Sequence, residues 1–371
     1  MDFAFDEQQE MLRRQARDLL DRESPMTAVR ALLDDETGHD PALWSRIAGL
    51  GWTAIPFAEA HGGLGLGLVD LTVILEELGR HLTPLPLQSS VGLAGMTLRA
   101  LGDGGPLPAG LLSGIVDGTA PATLALVERG GRYDLDAVTT TLGGGRLDGI
   151  KSFVPDAHTA RTLLVVARAE DGGLALVAVP ADAAGISLRR LSTMDPAQRM
   201  FEVSLEGVVV DEQAVLATGD EARRVLTQGL DAAAVMVCAE LCGVIDRCLE
   251  MAVGYAKERH QFGRPIGSYQ AVAHRCADML VLAESSRSLT YHAAWAVDSD
   301  APERALAVSM AKAYCSDAAR DAAGMSIQVH GGIGFTWEHD AHLYFKRAKW
   351  GEVVLGDARQ HRERVARLLD L

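Results

Sequence analysis

The hydrophobic period of this 371-residue chain changes twice, and the two changes limit the folds open to it. Up to about residue 118, apolar side chains recur at helical spacing: from Phe5 to Leu20, from Pro41 to Leu50 with proline at the start, and from Val69 to Gly79. From about Pro121 the pattern becomes short runs with β-branched residues, at Thr123 to Val127, Thr162 to Ala167, Leu174 to Val179 and Val203 to Val210. Glycine turns at 143–145, 172–173 and 185 separate them. From about Glu221 the helical period returns in Ala- and Leu-rich stretches: Ala232 to Lys257, Tyr269 to Asp298, Ala305 to His330 and His342 to Leu369. A side-chain repeat near 3.6 suits a helix and a repeat of 2 suits a strand, so neither block can take the other's structure. The expectation is a multi-domain α+β chain: a helical domain over 1–118, a mainly antiparallel β domain over 119–218 and a four-helix bundle over 219–371. The length agrees, since it exceeds what one hydrophobic core organises.

The formal net charge of -15 excludes nucleic-acid binding through bulk charge. It also repels a polyanionic ligand, which would then need local Arg, Lys and helix N-termini to attract it. The apolar runs are short or broken by charge, so no membrane span is expected. The acidic start Met1-Asp2-Phe3-Ala4-Phe5-Asp6-Glu7 lacks the basic and apolar regions of a signal peptide. Five cysteines, an odd number with no CxxC, fit a reduced, cytoplasmic protein. Cys238 and Cys242 share a helical face and read as small core residues, and no metal is expected. The glycines at 62–67 are not a phosphate loop, because no Lys-Ser/Thr follows and no βαβ unit surrounds them. The glycines from Gly102 to Gly110 mark a loop.

Several motifs then line up. Trp52-Thr53-Ala54-Ile55-Pro56 precedes the glycine run and Glu76-Glu77-Leu78-Gly79. Arg259-His260-Gln261-Phe262-Gly263-Arg264-Pro265-Ile266 precedes Tyr269-Gln270, and Gln328-Val329-His330-Gly331-Gly332-Ile333-Gly334-Phe335 follows. In this order, over the whole chain, they resemble the acyl-CoA dehydrogenase family. The resemblance implies a helical N-terminal domain, a β-barrel-like middle domain and a C-terminal four-helix bundle. It implies FAD held between the middle domain and the bundle, with a neighbouring subunit's bundle completing the site in a homo- or hetero-tetramer. It implies desaturation of an acyl-CoA between its α and β carbons, with electron-transferring flavoprotein as acceptor. A bulky acyl group, such as a steroid side chain, is among the substrates it suggests.

In that reaction a base takes the α-proton while hydride leaves the β-carbon for the flavin, and hydrogen bonds to the thioester oxygen stabilise the enolate. The resemblance assigns cofactor contacts to Arg259, Gln261, Phe262, Gln328, Gly331 and Gly332, on a neighbour's FAD. Arg259 offers a charged fork to pyrophosphate, and the glycines allow close backbone approach. The alternative for these positions is an ordinary helix-ending loop. The ring side departs from the family. Its Thr-Glu-Pro and Gly-Ser-Asp pattern becomes Val127-Glu128-Arg129-Gly130-Gly131-Arg132-Tyr133-Asp134, and its Trp-Ile-Thr-Asn becomes Phe153-Val154-Pro155-Asp156. Phe153 keeps a stacking face, while Val127 and Pro155 have lost donors.

The base position departs most. The family's Glu-Gly falls on Leu355-Gly356, and the alternative base position, in the first bundle helix, falls on Ala233. Neither side chain takes a proton, although the Leu355 backbone N–H can still meet a thioester oxygen. Asp231 matches a residue that contacts the CoA end in the family. Asp357 is the first candidate base, with capping of the last helix, and Gly356 as the turn before it, as the alternative. Glu240 lies about 10 Å beyond Ala233 along the helix, too far to replace it. Trp337-Glu338-His339-Asp340-Ala341-His342 looks metal-like but reads better as a helix start at a subunit contact. Three readings follow: a dehydrogenase with an unusual base, a non-catalytic partner that completes a sister subunit's FAD site, and a flavoenzyme of this fold with other chemistry. A subunit of a heteromeric dehydrogenase is the preferred one.

Overall fold

The computed structural model describes residues 6–102, 108 and 110–371. Phe5, the expected start of the first helix, and Gly104 and Gly105 of the glycine loop lie outside the described residues. The helices before the strands are α1 (Glu7–Glu23), α2 (Met26–Leu32), α3 (Pro41–Gly49), α4 (Leu68–His81), α5 (Met96–Arg99), which follows a π-helical segment Gln88–Gly95, and α6 (Leu111–Val116). Then come β1 (Ala122–Ala125), β2 (Thr141–Gly143), β3 (Arg146–Pro155), β4 (Thr162–Ala169), β5 (Leu174–Pro180), β6 (Ile186–Leu191), β7 (Met200–Val209) and β8 (Val215–Thr218). After them run α7 (Gly219–Glu258), a short hairpin of β9 (His260–Gln261) and β10 (Arg264–Pro265), α8 (Gln270–Asp298), α9 (Arg304–His330), α10 (Ala341–Val353) and α11 (Ala358–Leu368). None of the described helices is long and apolar enough to cross a membrane.

These elements gather into two compact units that interleave along the chain. One holds residues up to Ala31, Leu68–Thr83 and Ala234–Leu371; the other holds Leu32–Gly67 and Pro84–Ala233. The reason lies in α4, where Leu71 to Gly79 are all buried. A helix buried on every side needs neighbours on every side, and α4 packs on α1 and α8. Glycines bring it against α7: a Cβ on Gly243 would lie 1.8 Å from the Glu76 carbonyl oxygen, and one on Gly79 would lie 1.9 Å from that of Glu240. Asp298, at the end of α8, accepts the Leu68 and Val69 N–H groups at 2.9 and 3.1 Å and so caps the start of α4. Arg17 of α1 forks onto Glu77, with bonds of 3.0 and 2.7 Å.

In the second unit the strands form one sheet in the order β6-β7-β3-β2-β4-β5-β8, with β1 also on β4. The β1–β4 and β2–β4 pairs are parallel and the others antiparallel. Its core gathers alternate residues such as Leu163, Val165 and Ala167 of β4 with Ala175, Val177 and Val179 of β5. Glu128 secures the segment after β1. It accepts the N–H and hydroxyl of Thr140 at 2.8 and 2.7 Å, the N–H and hydroxyl of Thr139, and the ammonium of fully buried Lys151 at 2.7 Å. Burial alone would raise this carboxyl, but Lys151 and the two threonines outweigh it and hold Glu128 at about 2.

One expectation needs correction. The stretch from His342 to Leu369 is not one helix but two, α10 and α11. Leu355 and Gly356 between them adopt φ of 59° and 99°, outside the right-handed helical region. Asp357 then starts α11 with a capping box, its side chain accepting the Gln360 N–H while the Gln360 side chain accepts the Asp357 N–H.

Two predictions follow from this packing. Gly243→Ala pushes α4 and α7 apart and is expected to cost about 1–3 kcal/mol, read as a lower urea midpoint. Gly254→Ala on the same helix meets open space and should gain up to about 1 kcal/mol; equal effects would refute the close approach. Glu128 ionises more readily folded than unfolded, so its contribution is complete above its ordinary value near 4.5 and fades as pH falls towards 2. Glu128→Gln should therefore lower the urea midpoint at pH 7 and lose less further stability on acidification than the wild type; parallel acid limbs would contradict this.

Candidate functional site

The turn between α10 and α11 is the first half of the site. The C-cap of α10 is Val354, so Leu355 occupies the left-handed position that glycine usually takes after a helix. A leucine there costs about 1–2 kcal/mol and persists only if its surroundings impose it. The surrounding backbone groups are bonded: Val354 N–H donates to Trp350 O at 3.1 Å and Gly356 N–H to Val353 O at 3.3 Å. The carbonyls of Gly351 and Gly356 each accept from Lys312 at 2.9 Å, and that of Leu355 accepts from His361 at 3.0 Å. The Leu355 N–H is left without a hydrogen bond among the described residues. A bare donor at a buried turn suits an incoming carbonyl oxygen.

Among the described residues, the carboxylates weighed as bases from sequence, and Glu352 beside them, are already engaged. Asp357 is the N-cap of α11, its Oδ1 accepting the Gln360 N–H at 2.8 Å, which is the capping role weighed for it from sequence. Glu240 is buried on α7 and bonded to the guanidinium of equally buried Arg347. Glu352 is held by Arg320 at 2.8 Å and by Lys349. Asp231 and Ala233 are both buried on α7, in the other compact unit.

The second half of the site lies at the far ends of α7 and α9, which adjoin through the stacked rings of Tyr255 and His330, 4.7 Å apart. Lys312 and Gln328 sit on one helix sixteen residues apart, or about 24 Å, so the Leu355 turn and this edge serve different points. Phe262 and Gly263 have φ of 51° and 81°, which makes a two-residue hairpin turn and leaves Phe262 92% exposed. The hairpin is pinned by Ile266 N–H on Arg259 O at 2.8 Å and by Tyr269 Oη on Gln261 O at 3.1 Å. Beyond α9, Gly331 adopts φ 64° and ψ −140°, and a Cβ at Gly331 or Gly332 would meet nothing within 4 Å. Arg259, Gln261 and Gln328 are exposed, and Arg259 forms no ion pair among the described residues. A guanidinium, an amide and open glycine backbone beside an exposed aromatic form a cradle for an anionic, partly flat ligand. Phe335 and Trp337 add exposed apolar surface next to it.

The ring-side residues lie in the β unit. Phe153 stands at a bulge of β3 with φ 53° and is 43% exposed, an aromatic face turned outward. Val127 is buried, and its carbonyl accepts the Ser152 N–H at 2.7 Å. The Pro155 carbonyl is taken by Thr123 and the Asp156 carboxylate by Ser89. This stretch therefore offers stacking at Phe153 and few free donors. The metal-like segment uses its rings otherwise: His339 accepts the Ala341 N–H at 3.1 Å, and His342 stacks on Trp337 at 4.7 Å. Sequence reasoning missed Lys312 as part of the turn; its signal is a lysine inside the small-residue run Met310-Ala311-Lys312-Ala313.

The acyl-CoA dehydrogenase N-terminal domain model matches residues 6–104, and the acyl-CoA dehydrogenase C-terminal domain model matches residues 223–369. The chain is 32% identical over 361 residues to the acyl-CoA dehydrogenase IpdE2 of Mycolicibacterium smegmatis, covering 97% of this chain and 98% of that one. Among solved structures, a variant of the Tcur3481–Tcur3483 steroid ACAD is 33% identical with a TM-score of 0.86, over 98% of each chain. The ChsE4–ChsE5 complex from Mycobacterium tuberculosis is 30% identical with a TM-score of 0.89, over 100% of this chain and 99% of that one. A helical N-terminal region, a β sheet and a helical C-terminal region in this order, with the Arg259 and Gln328 motifs on one bundle end, place this chain in the acyl-CoA dehydrogenase family of FAD-dependent oxidoreductases.

Proposed function

We propose that this chain is one subunit of a heteromeric acyl-CoA dehydrogenase, lending its bundle edge to the FAD of a sister subunit that carries the base. The observation that carries this reading is the turn at Leu355. Leucine fills the base position there, Asp357 is engaged as a helix cap and Glu240 is bonded to Arg347. Two of the similar structures are described as pairs, ChsE4–ChsE5 and Tcur3481–Tcur3483, the second of them a steroid ACAD. A bulky, steroid-derived acyl-CoA is accordingly the substrate class we assign to the assembly, in the cytoplasm and with electron-transferring flavoprotein as acceptor.

In that assembly the chemistry that FAD would supply when bound is acceptance of the hydride lost from the acyl β-carbon. This chain's residues bind and orient. Arg259 holds pyrophosphate with its fork, Gln261 and Gln328 hydrogen-bond the dinucleotide, Phe262 packs on its flat surface, and Gly331 and Gly332 let it approach the backbone. Phe153 offers a stacking face to a ring at this chain's own site, and Asp231 is assigned to the CoA end. A working dehydrogenase with Asp357 as base fits less well, because that carboxylate already holds the α11 N-terminus. The bare Leu355 N–H supports a narrower role at the chain's own site: gripping a thioester carbonyl without deprotonating the acyl chain.

The expected result is that the chain purified alone carries well under one flavin per chain by visible absorbance. Assembled with a family member that has Glu at the position of Leu355, it should reach about one flavin per sister subunit. There Arg259→Ala should weaken FAD binding about 10–100-fold, the value of a charge-assisted bond. One flavin per chain in the lone protein, together with acyl-CoA turnover abolished by Asp357→Asn, would overturn the proposal.

A further inference from the structure

Lys312 is fully buried, and its ammonium sits where α9 faces the end of α10. It has three N–H groups and three acceptors: Ser316 Oγ, Gly351 O and Gly356 O, each at 2.9 Å. Burial pulls Lys312 down to about 8, so it remains an ammonium at neutral pH. With every proton committed, it cannot serve as a base. Gly351 lies in the last turn of α10, so the charge also meets the negative end of that helix.

His361 holds the same turn from α11. Its Nε2 lies 3.0 Å from the Leu355 carbonyl and must carry the proton to donate there. Its Nδ1 is buried with no partner among the described residues, and burial, aided by the Lys312 charge, keeps the ring neutral by holding it at about 4. A Cβ on Gly356 would lie 3.1 Å from this Nε2, so only glycine lets the ring reach over the turn.

We propose that Lys312 and His361 are positioning residues that hold the Leu355–Gly356 turn in its left-handed conformation, and so keep the Leu355 N–H directed away from the backbone and open to a thioester carbonyl. Leu355 gains no side-chain hydrogen bond from this conformation and pays strain to adopt it. Two donors fixed on two helices impose it by holding the carbonyls on either side of the Gly356 N–H. Removing either donor frees the turn to open and sample other conformations, in which the Leu355 N–H is no longer held in one direction and the neighbouring amides lose protection. The second part, that the N–H meets a thioester, rests on the function proposed above; the first does not.

Hydrogen–deuterium exchange of the full chain, in the assembly in which it purifies, separates the two. Lys312→Met is expected to speed exchange about tenfold, the loss of one net hydrogen bond, in the peptide covering residues 353–358. Protection elsewhere in α9 and α11 should remain. Unchanged exchange in that peptide overturns the positioning role. Should Lys312→Met unfold the bundle, His361→Leu decides, with the same local increase expected and wild-type exchange fatal to the idea. Octanoyl-CoA should slow exchange of the same wild-type peptide, and the thioether octyl-CoA, which lacks the carbonyl, should not. That difference should vanish in His361→Leu. Equal effects of the two ligands on wild type would refute the thioester contact and leave the positioning role to the variants.

Discussion

A helix that ends inside a packed core leaves carbonyls that must find donors there, and in this chain that requirement shapes the turn after α10. Val354, Leu355 and Gly356 are all buried, so the carbonyls of the turn rely on protein donors rather than bulk water. The donors come instead from Lys312 and His361. A buried ammonium is expensive unless its hydrogen bonds are complete, and here they are. The same geometry puts a leucine into left-handed backbone and exposes its N–H as a donor without a partner. In the proposed role that N–H is what the backbone would contribute to an acyl-thioester site, while the Leu355 side chain offers no base.

The fate of the carboxylates follows the same logic. A catalytic base needs a carboxylate free of strong partners and held in a desolvated pocket. The buried carboxylates of the bundle do not meet that condition. Glu240 faces Arg347, Glu77 faces Arg17, and Glu76 accepts from Tyr291 at 2.5 Å and from Arg13 at 3.3 Å. Each removes a charge penalty from the interior and adds a constraint on which helices can be neighbours. These three carboxylates tie α1, α4, α7, α8 and α10 together through their partners.

How much of this could be read from the sequence depended on the kind of signal. The long helices follow from period alone, and α9 differs by one residue from the stretch Ala305 to His330. The strands of apolar runs, β4 and β5, were equally plain. β3 was not, because Lys151 and Ser152 interrupt its alternation, and its buried lysine is explained only by Glu128, distant in sequence. β6 was missed because Ile186–Leu191 is an exposed edge with two arginines. The break between α10 and α11 was written in Asp357-Ala358-Arg359-Gln360, a capping-box pattern, but the helical period runs on across it. That Leu355 stands where the resemblance sets the family's base was legible by motif. The clamp around it was not, since it joins Lys312 to Gly356 across 44 residues and no local pattern marks such a pair.

The exposed edge of the bundle is the counterpart of that closed interior. A folded chain normally covers large aromatic side chains, yet Phe262, Phe335 and Trp337 are 92%, 81% and 62% exposed beside an arginine with no ion pair among the described residues. Phe262 is also held in left-handed backbone, a conformation that costs an aromatic residue energy without burying any of its surface. Strain of that kind is retained where a side chain must be presented outward at a fixed angle. The hairpin bonds at Arg259 and Tyr269 set that angle before any ligand arrives, so little ordering is left for binding to supply. A rigid outward edge at one end of the bundle and a clamped turn at the other are what the proposed role, completing a sister subunit's site, requires.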